Sequence, residues 1–222
     1  MQQPTYILDF DSTLVTVESL DELARLSLVN HAQKYQIMQH LEHITHRGMT
    51  GEITFDESLQ SRLRLFAATK EDIAQLSDYL FTRISPSALA ARDWFKQSRN
   101  HLYIVSGGFE EYILPVAEKL GLRSDHVFAN RFEYLDNTVV GFDETRPTSQ
   151  QGGKAAQLTA LHLPHPLIAI GDGFTDYENK AKGLADEFWA FTETVDRPNV
   201  TAKADRVVSS FDEIMNSVPV CV

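Results

Sequence analysis

An α/β fold is predicted by three observations. Short apolar runs at residues 6–8, 101–105 and 167–170 each end in a polar or glycine-rich loop. Helical patterns separate these runs, and a long stretch without strand alternation follows the first. Strands alternating with helices imply a mainly parallel sheet in a three-layer core. An ordinary crossover needs far fewer residues than 19–81, so that stretch reads as a small helical cap inserted after the first strand. The expected division is a core of residues 1–18 and 82–222 and a cap of residues 19–81, within the 222 residues of the chain. At 43% hydrophobic, the chain can bury a substantial core.

The first run, Tyr6-Ile7-Leu8, breaks at Asp9-Phe10-Asp11-Ser12-Thr13. Parallel sheets bind ligands in the crevice outside the carboxyl ends of their strands, so both acids are delivered there. In extended backbone, residues two apart point the same way, so Asp9 and Asp11 can face one substrate and hold a hard cation together. Alone, the pair also reads as an Asx-rich turn.

The second run breaks at Ser106-Gly107-Gly108, ahead of a helical pattern over residues 109–120. A hydroxyl, close-approaching backbone amides and a helix N-terminus suit an anion, although Ser-Gly-Gly is also a common strand-to-helix turn. Gly152-Gly153-Lys154 opens a further amphipathic stretch and supplies a full positive charge. It fails the nucleotide-binding loop pattern, which would need glycine at Thr148 and Ser or Thr at Ala155. The third run breaks at Gly171-Asp172-Gly173-Phe174-Thr175-Asp176. Asp172 completes a set of three carboxylates with Asp9 and Asp11, and Asp176 can orient a ligand from behind. Such an all-oxygen set, with waters and a phosphate oxygen, fits Mg²⁺. Between the second and third runs, residues 127–142 read as an antiparallel hairpin turning at Asp136-Asn137.

Within the cap stretch, Ser19-Leu20-Asp21-Glu22 has the form of a capping box, and residues 48–51 form a break. Taking residues 55–66 as a helix with Phe55 at zero, Leu59 falls near 40°, Phe66 near 20° and Arg62 near −20°, at about 100° per residue. Arg64 falls at about 180°, on the solvent side. An arginine within a Phe and Leu stripe must either snorkel or find an anion.

The net charge is −11, from 31 acidic against 20 basic residues, which argues against nucleic acid or an anionic membrane as partner. The only cysteine, Cys221, excludes an internal disulfide. Five of the eight histidines, His40, His43, His46, His162 and His165, read as surface residues, so no histidine metal site is predicted. With an acidic site within ten residues of the start and no membrane-length apolar run, a cytoplasmic protein is expected. Its oligomeric state has no sequence signal.

The motifs at Asp9-Phe10-Asp11-Ser12-Thr13, Ser106-Gly107-Gly108, Lys154 and 171–176 resemble the four signature motifs of the haloacid dehalogenase superfamily of phosphohydrolases. The likeness narrows to the phosphoserine phosphatases through Glu18, residues 49–62 and the run from His126 to Lys154. It covers nearly the whole chain. It implies the superfamily's Rossmann-like core, Mg²⁺ dependence, and O-phosphoserine or another small phosphate ester as substrate. Asp9 would attack phosphorus while Asp11 acts first as acid and then as base. Ser106, Gly107, Gly108, Lys154 and Thr175 would hold the phosphoryl group. Arg62 would grip the substrate carboxylate and Glu18 its ammonium, with Met49 and Phe55 walling the pocket. Phe174, Thr50 and residues 188–199, including Arg197, depart from the family pattern. Competing readings are another phosphatase, a phosphotransferase, or a non-catalytic phosphate-binding module. A dinucleotide-dependent oxidoreductase would need a glycine fingerprint that is absent.

Overall fold

The computed structural model describes residues 3–49 and 52–217. Six strands form one parallel sheet: β1 (Thr5–Leu8), β2 (Leu102–Phe109), β3 (Val127–Asn130), β6 (Leu167–Gly171), β7 (Glu187–Phe191) and β8 (Arg206–Val208). Their spatial order is β3-β2-β1-β6-β7-β8, so β1 lies between β2 and β6. Leu8 is in register with Ile104 on one side and Ile170 on the other, which brings three strand ends to one rim. β4 (Phe132–Leu135) and β5 (Thr138–Phe142) form a separate antiparallel hairpin.

Strand alternation builds the three layers. Tyr6, Leu8, Leu102, Ile104, Ile168 and Ile170 point to one apolar cluster, while Ile7, Val105, Leu167, Ala169, Phe188 and Ala190 point to the other. Period-two side chains on strands buried on both faces require this arrangement.

Helices α1 (Ser19–Ser27), α2 (Lys34–Met49), α3 (Phe55–Leu63) and α4 (Lys70–Phe81) fill the stretch between β1 and β2, followed by α5 (Pro86–Ala90) and α6 (Arg92–Ser98). The chain leaves and re-enters the core side by side. Val15 bridges Ile84, and Thr16 N donates to Arg83 O. Leu20, Leu23, Leu59, Ile73, Leu76 and Leu80 of α1, α3 and α4 belong to the same apolar cluster as the strands, so these helices and the sheet share one core. A small cluster of Ala24, Leu28, Met38 and Leu41 joins α1 to α2. The remaining helices are α7 (Glu110–Leu120), α8 (Gly153–Leu161), α9 (Phe174–Ala181), α10 (Pro198–Thr201) and α11 (Phe211–Ser217).

Three local expectations are corrected. The second strand does not break at Ser106: β2 continues to Phe109, because pairing with β3 resumes at Asn130 after an irregularity, and the helix starts at Glu110. Residues 127–130 belong to the main sheet, which confines the hairpin to residues 132–142, turning at Asp136 with a left-handed φ of 54°. The capping box at Ser19 does not form. Glu18 is the N-cap, and the Ser19 hydroxyl is engaged elsewhere, by Asp11. Among the described residues, no helix is long and apolar enough to cross a membrane. Thr50, the Met49 side chain and the apolar tail with Cys221 lie outside the described residues.

Candidate active site

Asp9 follows β1 directly, its amide donating to Ile170 O at 2.9 Å. Two donors converge on its Oδ1: Phe10 N at 2.8 Å and the Lys154 ammonium at 2.7 Å. Lys154 stands in the first turn of α8 and reaches Asp176 Oδ1 at 2.7 Å as well. Burial works against the lysine charge, but Asp176 and Asp9 outweigh it and raise its pKa. The opposite pressure acts on the acids. Burial, reinforced by Asp9, pushes Asp172 up to about 6 and Asp176 up to about 8, although Lys154 pulls on Asp176 and Arg197 on Asp172.

The carboxylates of Asp9, Asp172 and Asp176 offer oxygens within 4.8 Å of one another. This gathered set differs from the expected Asp9, Asp11 and Asp172, because the Asp11 side chain turns to α1. Ser19 N donates to Asp11 Oδ1 at 3.1 Å, and the Ser19 hydroxyl donates to the same oxygen. Burial, with the charges of Glu18 and Asp9, raises Asp11 well above the carboxylate range, against those two bonds. Three clustered carboxylates facing one ammonium fit a hard divalent cation.

Arg197, in the loop after β7, donates from Nε to Asp172 Oδ2 at 2.9 Å. Its Nη2 lies 3.8 Å from Glu18 Oε1, which also accepts from Ser12 Oγ at 3.0 Å. Glu18, Asp172 and Arg197 therefore meet at the rim.

Ser106 is buried, and its Oγ accepts from Gly108 N at 3.0 Å. Asn130, ending β3, donates to Gly107 O at 2.8 Å and is itself held by Thr148 Oγ1 at 2.8 Å. The Phe55 ring lies over Gly107 so closely that a Cβ there would be 2.7 Å from Phe55 Cζ. Phe55 N also donates to Gln151 Oε1 at 2.8 Å, and Gln60 Nε2 donates to Glu144 Oε1 at 3.1 Å. Helix α3 is thus fastened to the rim.

Arg62 is half-buried on α3 with Nη1 3.6 Å from Asp21 Oδ1, and its buried Nε has no hydrogen-bond partner among the described residues. Burial raises Asp21, and the Arg62 charge opposes that rise. Arg64, the C-cap, is exposed. Thr175 is half-buried in the first turn of α9.

The chain matches the haloacid dehalogenase-like hydrolase family over residues 6–178. It belongs to that family. This hydrolase is 33% identical over 214 residues to the chloroplastic phosphoserine phosphatase of Arabidopsis thaliana, a match covering 95% of this chain and 70% of the relative. Its fold is similar to that of a phosphoserine phosphohydrolase-like protein from Francisella tularensis, with a TM-score of 0.85 at 28% identity over 98% of this chain and 100% of that one. A phosphoserine phosphatase solved as a phospho-aspartyl intermediate analogue superposes with a TM-score of 0.77 at 27% identity, over 98% and 100% of the two chains.

Ser19, Asp21, Asn130, Thr148 and Arg197 join the hydrolase's site without having been singled out for it in the sequence. Asn130 had a usable signal, since it ends a strand whose carboxyl end faces the rim. Ser19 had a misleading one, because its local pattern is that of a helix cap.

Proposed function

We propose that this chain is a divalent-cation-dependent phosphatase that hydrolyses O-phospho-L-serine to L-serine and phosphate. The carrying observation is the pairing of Asp9, oriented by Lys154 and Phe10, with Asp11, which burial holds toward its protonated form. An acid and a nucleophile at one rim suit a two-step displacement.

In the first step an Asp9 carboxylate oxygen attacks phosphorus, the bond from phosphorus to the serine oxygen breaks, and Asp11 gives that oxygen its proton. In the second, Asp11 takes a proton from water, which attacks phosphorus, releases phosphate and restores the Asp9 carboxylate. Lys154, the Ser106 hydroxyl and the Gly107 amide hold the phosphoryl oxygens, where charge collects during transfer, and the Gly108 amide, donating to Ser106 Oγ, aims that hydroxyl. Thr175 adds its hydroxyl at the start of α9. The relative solved as a phospho-aspartyl intermediate analogue supports the covalent step.

We assign Mg²⁺ as the cation. Asp9 and Asp172 would hold it; both oxygens of Asp176 already accept, from Lys154 and from Gly173 N, and the Asp11 carboxylate is turned to Ser19. When bound, Mg²⁺ neutralises charge on the phosphoryl oxygens.

Arg62 takes the substrate carboxylate, and Glu18 takes the ammonium. A guanidinium whose buried Nε has no partner among the described residues supports the first role. Residues 19–81 act as a cap that closes over this site, with Phe55 and Met49 as its walls; the bridged segments at Val15 and Ile84 support one shared hinge. The lack of any internal disulfide suits a reducing compartment, and we assign the cytoplasm.

The test is phosphate release from a panel of phosphorylated metabolites with Mg²⁺, with and without an added alcohol. O-phospho-L-serine should be the best substrate, with free serine and phosphate in equal amounts. A better substrate without an amino-acid end would overturn the assignment, and transfer to the alcohol in preference to water would make the chain a phosphotransferase.

A further inference from the structure

Tyr112 lies in the first turn of α7, four residues after Gly108, with its ring fully buried beside Phe10, Phe109 and Phe132. Its hydroxyl has no hydrogen-bond partner among the described residues. The Phe109 backbone lowers the phenol's pKa as a donor does, and a donor leaves the O–H without an acceptor. Burying a polar hydrogen without an acceptor costs free energy, and phenylalanine would fill the same space without that cost. The hydroxyl therefore calls for a use outside packing.

Its surroundings point to one. A Cβ built on Gly108 would lie 3.0 Å from the Tyr112 hydroxyl and 3.3 Å from Ser106 Oγ, so the phenol borders the turn assigned to the phosphoryl group. Glycine at 108 leaves room for it. Burial raises the phenol well above its usual range, the Asp11 charge adds to this and the Arg62 charge opposes it, so the group stays protonated and remains a donor. The second orphan donor of this region is Arg62 Nε, which comes from the cap. One buried donor from the core and one from the cap both lack an acceptor, and a carboxylate has two oxygens to offer.

We propose that Tyr112 is a further specificity-determining residue, its O–H donating to one oxygen of the substrate carboxylate while Arg62 binds the other. This rests on the reading of the substrate as O-phospho-L-serine. Carboxylate recognition then needs both halves of the molecule, and the amino-acid end is bound only when cap and core close on it.

The test compares the parent with Tyr112→Phe, in Mg²⁺, on O-phospho-L-serine and on O-phosphoethanolamine, which keeps the ester and the ammonium but lacks the carboxylate. For the variant, KM for phosphoserine should rise about tenfold or more, the factor carried by a hydrogen bond to a charged group, with a much smaller change in kcat. Phosphoethanolamine should lose far less in kcat/KM. The melting temperature of the substrate-free variant should equal or exceed that of the parent, because the hydroxyl has no partner to lose; a purely structural hydroxyl would lower it. An unchanged KM for phosphoserine, or equal losses on the two esters, would overturn the role of Tyr112 while leaving the phosphatase reading intact. A parent that releases no phosphate from phosphoserine would overturn the substrate reading and Tyr112's role with it.

Discussion

The Lys154 ammonium lies 2.7 Å from Asp9 Oδ1, joining the turn after β1 to the start of α8. The same ammonium holds Asp176, so one cation orients Asp9 and offsets part of the carboxylate charge around it. Lys154→Met keeps most of the side-chain volume and removes the charge. Turnover should fall by about 10²- to 10³-fold, the scale for losing one electrostatic contact to a transition state. Divalent-cation affinity, read by calorimetry, should rise, since the carboxylates lose their internal competitor. A variant with near-parental kcat would exclude Lys154 from the reaction.

Asp172 makes stability depend on pH in the metal-free protein. Burial holds it up at about 6, against about 3.9 for an unfolded aspartate, so the folded state binds the proton more tightly. This contribution is fully present below the unfolded value and is lost as pH rises through about 6, amounting to about 3 kcal/mol at most. With a chelator present, the melting temperature should therefore fall between about pH 4 and 7, and Asp172→Asn should flatten that fall. Mg²⁺ favours the ionised carboxylate, so its stabilising effect should be greater at neutral than at acidic pH. Equal Mg²⁺ effects at both ends of the range would count against Asp172 as a ligand.

The contact between Phe55 and Gly107 tests cap closure. Gly107→Ala would bring a carbon within 2.7 Å of the Phe55 ring, forcing the cap to shift. Its kcat/KM should drop about tenfold, a modest misplacement effect. Adding Phe55→Leu should restore part of that loss, giving a coupling energy from the double-mutant cycle. Losses that simply add would mean that the alanine acts on the Ser106 turn and not through the cap.

Ser19→Ala probes the acid. Both donors from Ser19 go to Asp11 Oδ1 and favour the ionised form, so removing the hydroxyl should raise the Asp11 pKa further. The alkaline limb of the pH profile for kcat/KM, set by loss of the Asp11 proton in the first step, should move to higher pH, with a smaller effect on the melting temperature. An unmoved profile would detach Asp11 from the rate-limiting proton transfer.

Asp9, Lys154 and Asp172 were legible in the sequence because each sits within a residue or two of the end of an apolar strand or the start of a helix, where local chain geometry dictates direction. Where the outcome depended on a distant partner, local pattern misled. Ser19 carries a helix-cap pattern, yet its hydroxyl is drawn to Asp11, eight residues back. Residues 127–130 alternate like a hairpin arm, but alternation does not say which strand will be the neighbour, and β2 takes them. Gly107 and Gly108 read as a turn, whereas β2 extends through them to resume pairing at Asn130. Arg197 and Tyr112 approach Asp172 and the Ser106 turn only once β7 and α7 are packed, and no spacing in the sequence carries that.

Arg62 and Arg64 stand two residues apart on α3 and its C-cap, one half-buried against Asp21 and one exposed, which makes them a matched pair for testing substrate identity. Arg62→Ala should cost about 2–5 kcal/mol in kcat/KM for phosphoserine, roughly thirtyfold or more, as expected for losing a buried charged grip. Arg64→Ala should be nearly silent. Arg62→Ala also leaves the half-buried Asp21 without its cation, which costs folding stability. Phosphoethanolamine separates the two. It should be a poor substrate for the parent and should lose much less in Arg62→Ala, since the carboxylate that Arg62 holds is already missing. A disordered cap would slow both esters alike, and Asp21→Asn together with Arg62→Ala would then recover thermal stability without recovering phosphoserine turnover. Equal losses on both esters, persisting in that double variant, would refute carboxylate recognition by Arg62.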